Sequence, residues 1–118
     1  MAAAATLFNH EGAGHQLKIN KSAAGDTGSL LYQTGFSGRA EMGLAGGDDF
    51  TVKTSADGAT WVTPLRLVAG AAAVTVDHIL SLTPGAEPVA PAAGDVYFDA
   101  TLAKLRCFDG TLWRDLWA

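Results

Sequence analysis

Side-chain character along most of this chain alternates with a period of two, and turn-forming residues interrupt the alternation every several positions. A period of two is the spacing of a β-strand with one buried face, so short strands are expected and helices are not. In "GRAEMGLAG", Ala40, Met42 and Leu44 share one face while Arg39 and Glu41 take the other. "FTVKTS" sets Phe50 and Val52 against Thr51 and Lys53, and "GHQLKIN" sets Leu17 and Ile19 against Gln16, Lys18 and Asn20. "LLYQTGF" and "WVTPLRLV" read as further strands, with Pro64 marking an edge or a bulge because it lacks a ladder donor. One more alternating strand is expected through Val74, Val76, His78, Leu80 and Leu82, with His78 on its apolar face as a core or interface histidine. "GGDDF" reads as a turn.

Two pieces resemble each other: "DGATW" from Asp57 and "DGTLW" from Asp109. Asp-Gly favours a two-residue hairpin turn, since both positions tolerate positive φ. Each copy is therefore expected to turn the chain and deliver a tryptophan onto the next strand.

The chain divides by composition. Residues 1–83 read as an N-terminal β unit, and 84–93, within the Pro- and Ala-rich "TPGAEPVAPAAG", as an extended linker. Residues 94–118 read as a C-terminal β-meander, with strands in "DVYFD", "KLRCFD" and "LWRDLW". Such a short meander needs the first unit or a neighbouring chain to pack against. Half of the ten aromatic residues lie in it.

Composition bounds the partners. Only 17% of the 118 residues are charged, and Ala and Gly supply much of the 48% hydrophobic content. Sparse charge and many small side chains suit chains whose surfaces are covered by other chains. The net charge of -4 argues against nucleic acid, which is held by a basic field. No apolar run is long enough for a membrane-spanning helix, and "MAAAAT" lacks the pattern of a secretory signal. The single Cys107 precludes an internal disulfide and reads as a small packed thiol.

No motif selects a catalytic set. There is no phosphate-cradling glycine pattern and no nucleophile elbow. His10, Glu11 and His15 form the one cluster of metal-ligand types, in a Gly-rich loop too sparse for a zinc site. Asp48 and Asp49 are adjacent, where calcium loops space their acids at alternate positions. No enzyme activity, cofactor or metal is expected. Trp113, Trp117, Tyr97 and Trp61 are the carbohydrate-binding candidates, because sugar rings stack on aromatic faces. The competing reading is that these rings close a core or a subunit contact.

Two longer stretches carry a resemblance. "SLLYQTGFSGRAEMGLAGGDDFTVKTSADGATW" resembles the C-terminal domain of alphaproteobacterial phage and gene-transfer-agent appendage proteins, a domain-of-unknown-function family with head-spike or tail-fibre members. "GDVYFDATLAKLRCFDGTLWRDL" is similar to a terminal motif of many phage fibres, GxxYxD followed by KLRxxDGxxW, which indicates a structural module. The resemblance implies a virion location, other virion proteins as partners, and an all-β fold. That fold would be a small sandwich or an intertwined, homotrimeric fibre tip. It implies a structural and host-binding role toward surface polysaccharide, with neither nucleic acid nor membrane insertion involved. A purely structural trimerisation or capping domain is the alternative, and a polysaccharide depolymerase the third. The resemblance supplies no catalytic residues. Family members usually carry a larger N-terminal region that would attach such a module to its particle.

Overall fold

The structure, a computed structural model, describes residues Met1–Ala118. It is all-β: eight strands, antiparallel in two sheets, and no helix. The chain forms two compact units, Met1–His78 and Ile79–Ala118.

The first unit is a five-stranded meander in chain order: β1 (Thr27–Thr34), β2 (Ser37–Ala45), β3 (Phe50–Ser55), β4 (Trp61–Leu67) and β5 (Val74–Val76). Its register lines up a row of apolar residues across every strand: Leu30, Met42, Val52, Leu65 and Val76. Two residues away on the same face runs a second row, Gly28, Leu44, Phe50, Leu67 and Val74. The paired charged residues of the sheet, Glu41, Lys53 and Arg66, all lie on the other face. There Lys53 pairs with Glu41 at 3.5 Å, and Ser29 donates to Glu41 at 2.8 Å.

Local conflicts are absorbed by bulges and glycines. Thr63 and Pro64 together stand opposite Lys53, so the proline occupies a β-bulge, in accord with one of its two expected places. Another irregularity lies where Tyr32 and Gln33 meet Ala40 and Gly38. Arg39 is left over there and donates to Ser37 Oγ and to the Gly38 carbonyl. Gly43, at φ 141°, lets β1 and β2 close: a Cβ there would stand 2.5 Å from the Gly28 carbonyl oxygen.

Three sequence expectations are corrected. Leu17 and Ile19 are not in a strand, because their segment has no ladder partner. The segment instead lies beside Gly28 and is anchored by the Lys21 ammonium, which donates to Ala24, Asp26 and Gly47 carbonyls and pairs with Asp48. The strand expected through Leu82 stops at Val76, where Arg66 grips the Asp77 carboxylate with two hydrogen bonds and Asp77 N–H donates to the Pro64 carbonyl. His78 is consequently exposed rather than a core residue of this chain. The Asp-Gly copies are not two-residue turns either: Ser55 pairs with Trp61, and Phe108 with Trp113, leaving loops of five and four residues. The two-residue hairpin of the chain is Gly35-Phe36, between paired Thr34 and Ser37, with φ of 54° and 64°.

The second unit is a three-stranded meander, β6 (Val96–Asp99), β7 (Lys104–Phe108) and β8 (Trp113–Asp115). Residues 84–95 are stitched along it. Gly85 bonds to Phe98 and Ala100, Gly94 N–H donates to Phe108 O, and Phe108 N–H donates to Asp95 O. No hydrophobic residue in either unit is buried. Leu30, Phe50 and Leu67 of the first sheet and Val96 of the second remain exposed.

Candidate functional site

The aromatic residues are sorted by alternation along β6–β8. Tyr97, Asp99, Lys104, Arg106, Phe108, Trp113 and Asp115 share one face of the second unit. Val96, Phe98, Leu105 and Cys107 take the other, where Leu80, Leu82 and Trp117 join Phe98 and Leu105 around an apolar cleft of about 280 Å³. Of the four carbohydrate candidates, Tyr97 and Trp113 are thus neighbours, and Trp117 lies on the opposite face. Trp61 belongs to the first unit, half-buried over Gly38 with the Lys53 ammonium 5.6 Å from its ring.

Trp113 is engaged by its own sheet. Its ring meets Tyr97 edge-on, with centroids 4.7 Å apart, and Phe108 at 5.3 Å. Aromatic pairs at such distances and tilts are favourable beyond the area they bury. Trp117 is the freer ring, 48% exposed and 6.4 Å from Phe98. Beside Trp113 opens a shallow cleft of about 560 Å³, walled by the Glu87–Pro91 segment and floored by Arg106, Phe108 and Trp113.

Arg106 organises this face, and sequence reasoning did not single it out. Its guanidinium donates to Asp115 at 2.9 Å, to Glu87 at 3.0 Å and to the Trp113 carbonyl at 3.2 Å, and stands 4.0 Å from Asp99. Lys104 also pairs with Asp115, at 3.0 Å. Tyr97 donates its hydroxyl to Asp99 at 2.5 Å. Partial burial and the adjacent Asp99 carboxylate raise the Tyr97 pKa, so the phenol stays protonated and keeps donating. Asp99 is itself held low by that hydroxyl and by the Leu102 and Thr101 N–H groups.

Three aspartates close hairpin loops with one device. Asp57 Oδ1 accepts from Ala59 and Thr60, Asp99 Oδ1 from Thr101 and Leu102, and Asp109 Oδ1 from Thr111 and Leu112, all at 2.8–2.9 Å. The side chain replaces backbone partners that a wide loop cannot supply. In both Asp-Gly copies the following glycine takes positive φ, 82° at Gly58 and 99° at Gly110. The Asp109 pKa falls to about 2, through the Leu112 N–H first, then Arg114, then the Thr111 N–H. The repeated DGxxW pattern is therefore a loop closure, with its acid, glycine and ring each accounted for locally.

The same holds for the whole terminal motif. Gly94 has φ 94° and donates to Phe108 O; Tyr97 and Asp99 bond each other; Lys104 and Arg106 hold Asp115; Leu105 faces the apolar cleft; Asp109 and Gly110 form the loop; Trp113 covers Tyr97. Every residue of GxxYxD…KLRxxDGxxW has a task inside the meander.

The remaining candidate residues each have local partners. His10 Nδ1 accepts from Gly12, and the His15 ring stacks at 6.2 Å on Phe8. Asp48 is taken by Lys21, while Asp49 accepts from Ala69 N–H and faces Arg66 at 3.6 Å. No three His, Cys, Asp or Glu side chains converge.

Compared with protein-family models, with curated proteins and with solved structures, the chain finds no match.

Proposed function

We propose that this chain is a structural module of a virion appendage, a fibre or spike of a phage or gene transfer agent, and that it works as a homotrimer joined to other virion proteins. The observation that carries the assembly is the lack of any buried hydrophobic side chain, although both sheets have an apolar face. A compact monomer of this mass exposes about 6,000 Å², and two separately folded units of the same total mass about 7,200 Å². This chain exposes 8823 Å². The excess over two separate units is about 1,600 Å², the amount that two neighbours taking about 800 Å² each would cover. Two neighbours per chain is what a closed ring supplies, and a ring of three is the smallest such ring. The virion assignment rests on the resemblance of Ser29–Trp61 and Gly94–Leu116 to appendage sequences, and the self-contained logic of the terminal motif agrees with a structural role.

Light scattering on the purified chain tests the assembly: a mass near three times 12.2 kDa is expected. A monomer at micromolar concentration would remove the basis of the proposal. A trimer of this kind also has stability that rises with protein concentration, because folding and association are one equilibrium.

A host-binding role at the tip is favoured by one feature, the cleft beside Trp113. It combines an aromatic floor with the charged pair of Arg106 and Glu87, a surface suited to a polysaccharide with both apolar ring faces and hydroxyls. Soluble trimer is expected to adsorb to host cells, and Val89→Arg, at the exposed cleft wall, to weaken adsorption while leaving the trimer mass unchanged. Adsorption unaffected by that change would place the receptor contact elsewhere.

A further inference from the structure

On one face of the first unit's sheet no paired residue is charged. On that face stand Leu30, Met42, Val52, Leu65 and Val76 in a directly opposed row, with Leu44, Phe50, Leu67 and Val74 beside them. The flanking row on that face is Tyr32, Ala40, Thr54 and Val62. None of these side chains is charged. The other face carries Glu41 and Lys53, which pair with each other, and Arg66, which pairs with Asp77 just past β5, together with Leu31 and Trp61. An antiparallel sheet can face water on one side, but its apolar side needs a second layer. Here that layer is missing: Leu30, Phe50, Leu67 and Val74 are 37–64% exposed on a sheet five strands wide.

We infer that this apolar face is the contact between copies of the chain, each copy's sheet forming one wall of a shared core. The inference rests on the self-assembly proposed above and assigns the surface that performs it. Two features favour copies over an unrelated partner. The face has no charge to be matched, so it complements itself without a dedicated counterpart. Its five strands, at about 4.8 Å spacing, make a wall about 24 Å wide, and strands of six to nine residues make it about 20–30 Å long; the resulting roughly 500–700 Å² is of the order that a standard interface takes from each partner, about 800 Å². The N-terminal segment extends the same surface, since Leu17 and Ile19 border a cleft of about 260 Å³ with Gly28, Leu30, Met42, Leu44 and Phe50. The opposite face, with its ion pairs satisfied internally, is then the solvent face of the assembly.

Cysteines placed on the two faces test the assignment in full-length chain carrying Cys107→Ser. Val52→Cys lies at the centre of the apolar face, and Thr51→Cys on the charged face; both positions are half-exposed in the single chain. Within the assembled protein, alkylation at position 52 is expected to be at least tenfold slower than at 51, and a short bis-maleimide to join copies through 52 alone. An oligomer in which both thiols react at similar rates would overturn the face assignment while leaving self-assembly intact. A monomer by light scattering would overturn both. Val52→Glu supplies a second reading: it is expected to lower the mass to that of one chain, whereas Thr51→Glu leaves the oligomer in place. Should Val52→Glu unfold the chain, the alkylation rates still decide.

Discussion

Replacing Gly43 with alanine is expected to be among the most damaging single-methyl additions this chain can receive. Gly43 sits mid-strand in β2, paired on both sides, with Ser29 of β1 and Thr51 of β3. Its φ of 141° is one that residues with a Cβ rarely adopt, and forcing it costs on the order of 1–2 kcal/mol. The added Cβ would also lie 2.5 Å from the Gly28 carbonyl oxygen and 2.7 Å from Ser29 Cα. Both are backbone atoms, so relief requires β1 to move away from β2 as a strand. Overpacking of this kind costs about 1–3 kcal/mol. The combined loss, about 2–5 kcal/mol, is a large fraction of the roughly 5–15 kcal/mol that holds a typical domain. Urea denaturation followed by circular dichroism measures it, at equal protein concentration because association contributes. Gly47→Ala is the control, since nothing lies within 4 Å of its added methyl and its φ is not positive; a change within about 0.5 kcal/mol is expected there. A Gly43→Ala midpoint matching that of Gly47→Ala would refute the β1–β2 register from which the clash is calculated.

Three further outcomes follow from local geometry. Phe36 is 96% exposed at the second position of a turn with both φ values positive, so Phe36→Gly is expected to raise stability by about 1 kcal/mol, read as a higher Tm; a fall would show that the ring is held by a contact of the assembly. Gly38→Ala places a methyl 2.8 Å from the Trp61 ring, and because a side chain can yield more easily than backbone, a shifted tryptophan emission with only modest loss of stability is expected. Asp109 titrates near 2 when folded against 3.8 otherwise. A depressed carboxylate pKa stabilises the fold above 3.8 and ceases to do so as pH falls through 2. The gap in urea midpoint between wild type and Asp109→Asn should accordingly narrow from pH 5 to pH 2, and a constant gap would sink the assignment of that loop's strength to the ionised acid.

Alternation alone was enough to place most of both sheets. Ala40, Met42 and Leu44 share a face in the folded chain as their spacing requires, and "VYFD", "KLRCF" and "WRD" form a meander. The candidate site was less legible. Of the four aromatic candidates, strand parity puts Tyr97 and Trp113 on one face, but Trp117, past the end of β8, turns to the cleft on the other, against its even spacing from Trp113. Arg106 looked like one charged strand residue among several until three strands and the Glu87 segment closed around it. The signal available in advance was its place at the middle of the central strand of a three-stranded run, where a long cation can reach acids on both sides.

What the amino-acid order determines here is local. The period of two makes strands, and Asp-Gly marks where the chain reverses. The tertiary structure alone decides which residues end up opposite one another. Loop lengths of five and four residues, rather than two, follow from side-chain carboxylates that satisfy backbone N–H groups, an outcome that turn preferences do not encode. Leu17 and Ile19 alternate as a strand should, but a strand exists only where another offers a ladder, and Lys21 fixes that segment elsewhere. The unbroken apolar face of the first unit is the same kind of fact. It arises from four registers in agreement, each set by the pairing of two consecutive strands, and none of its rows can be read from any one strand.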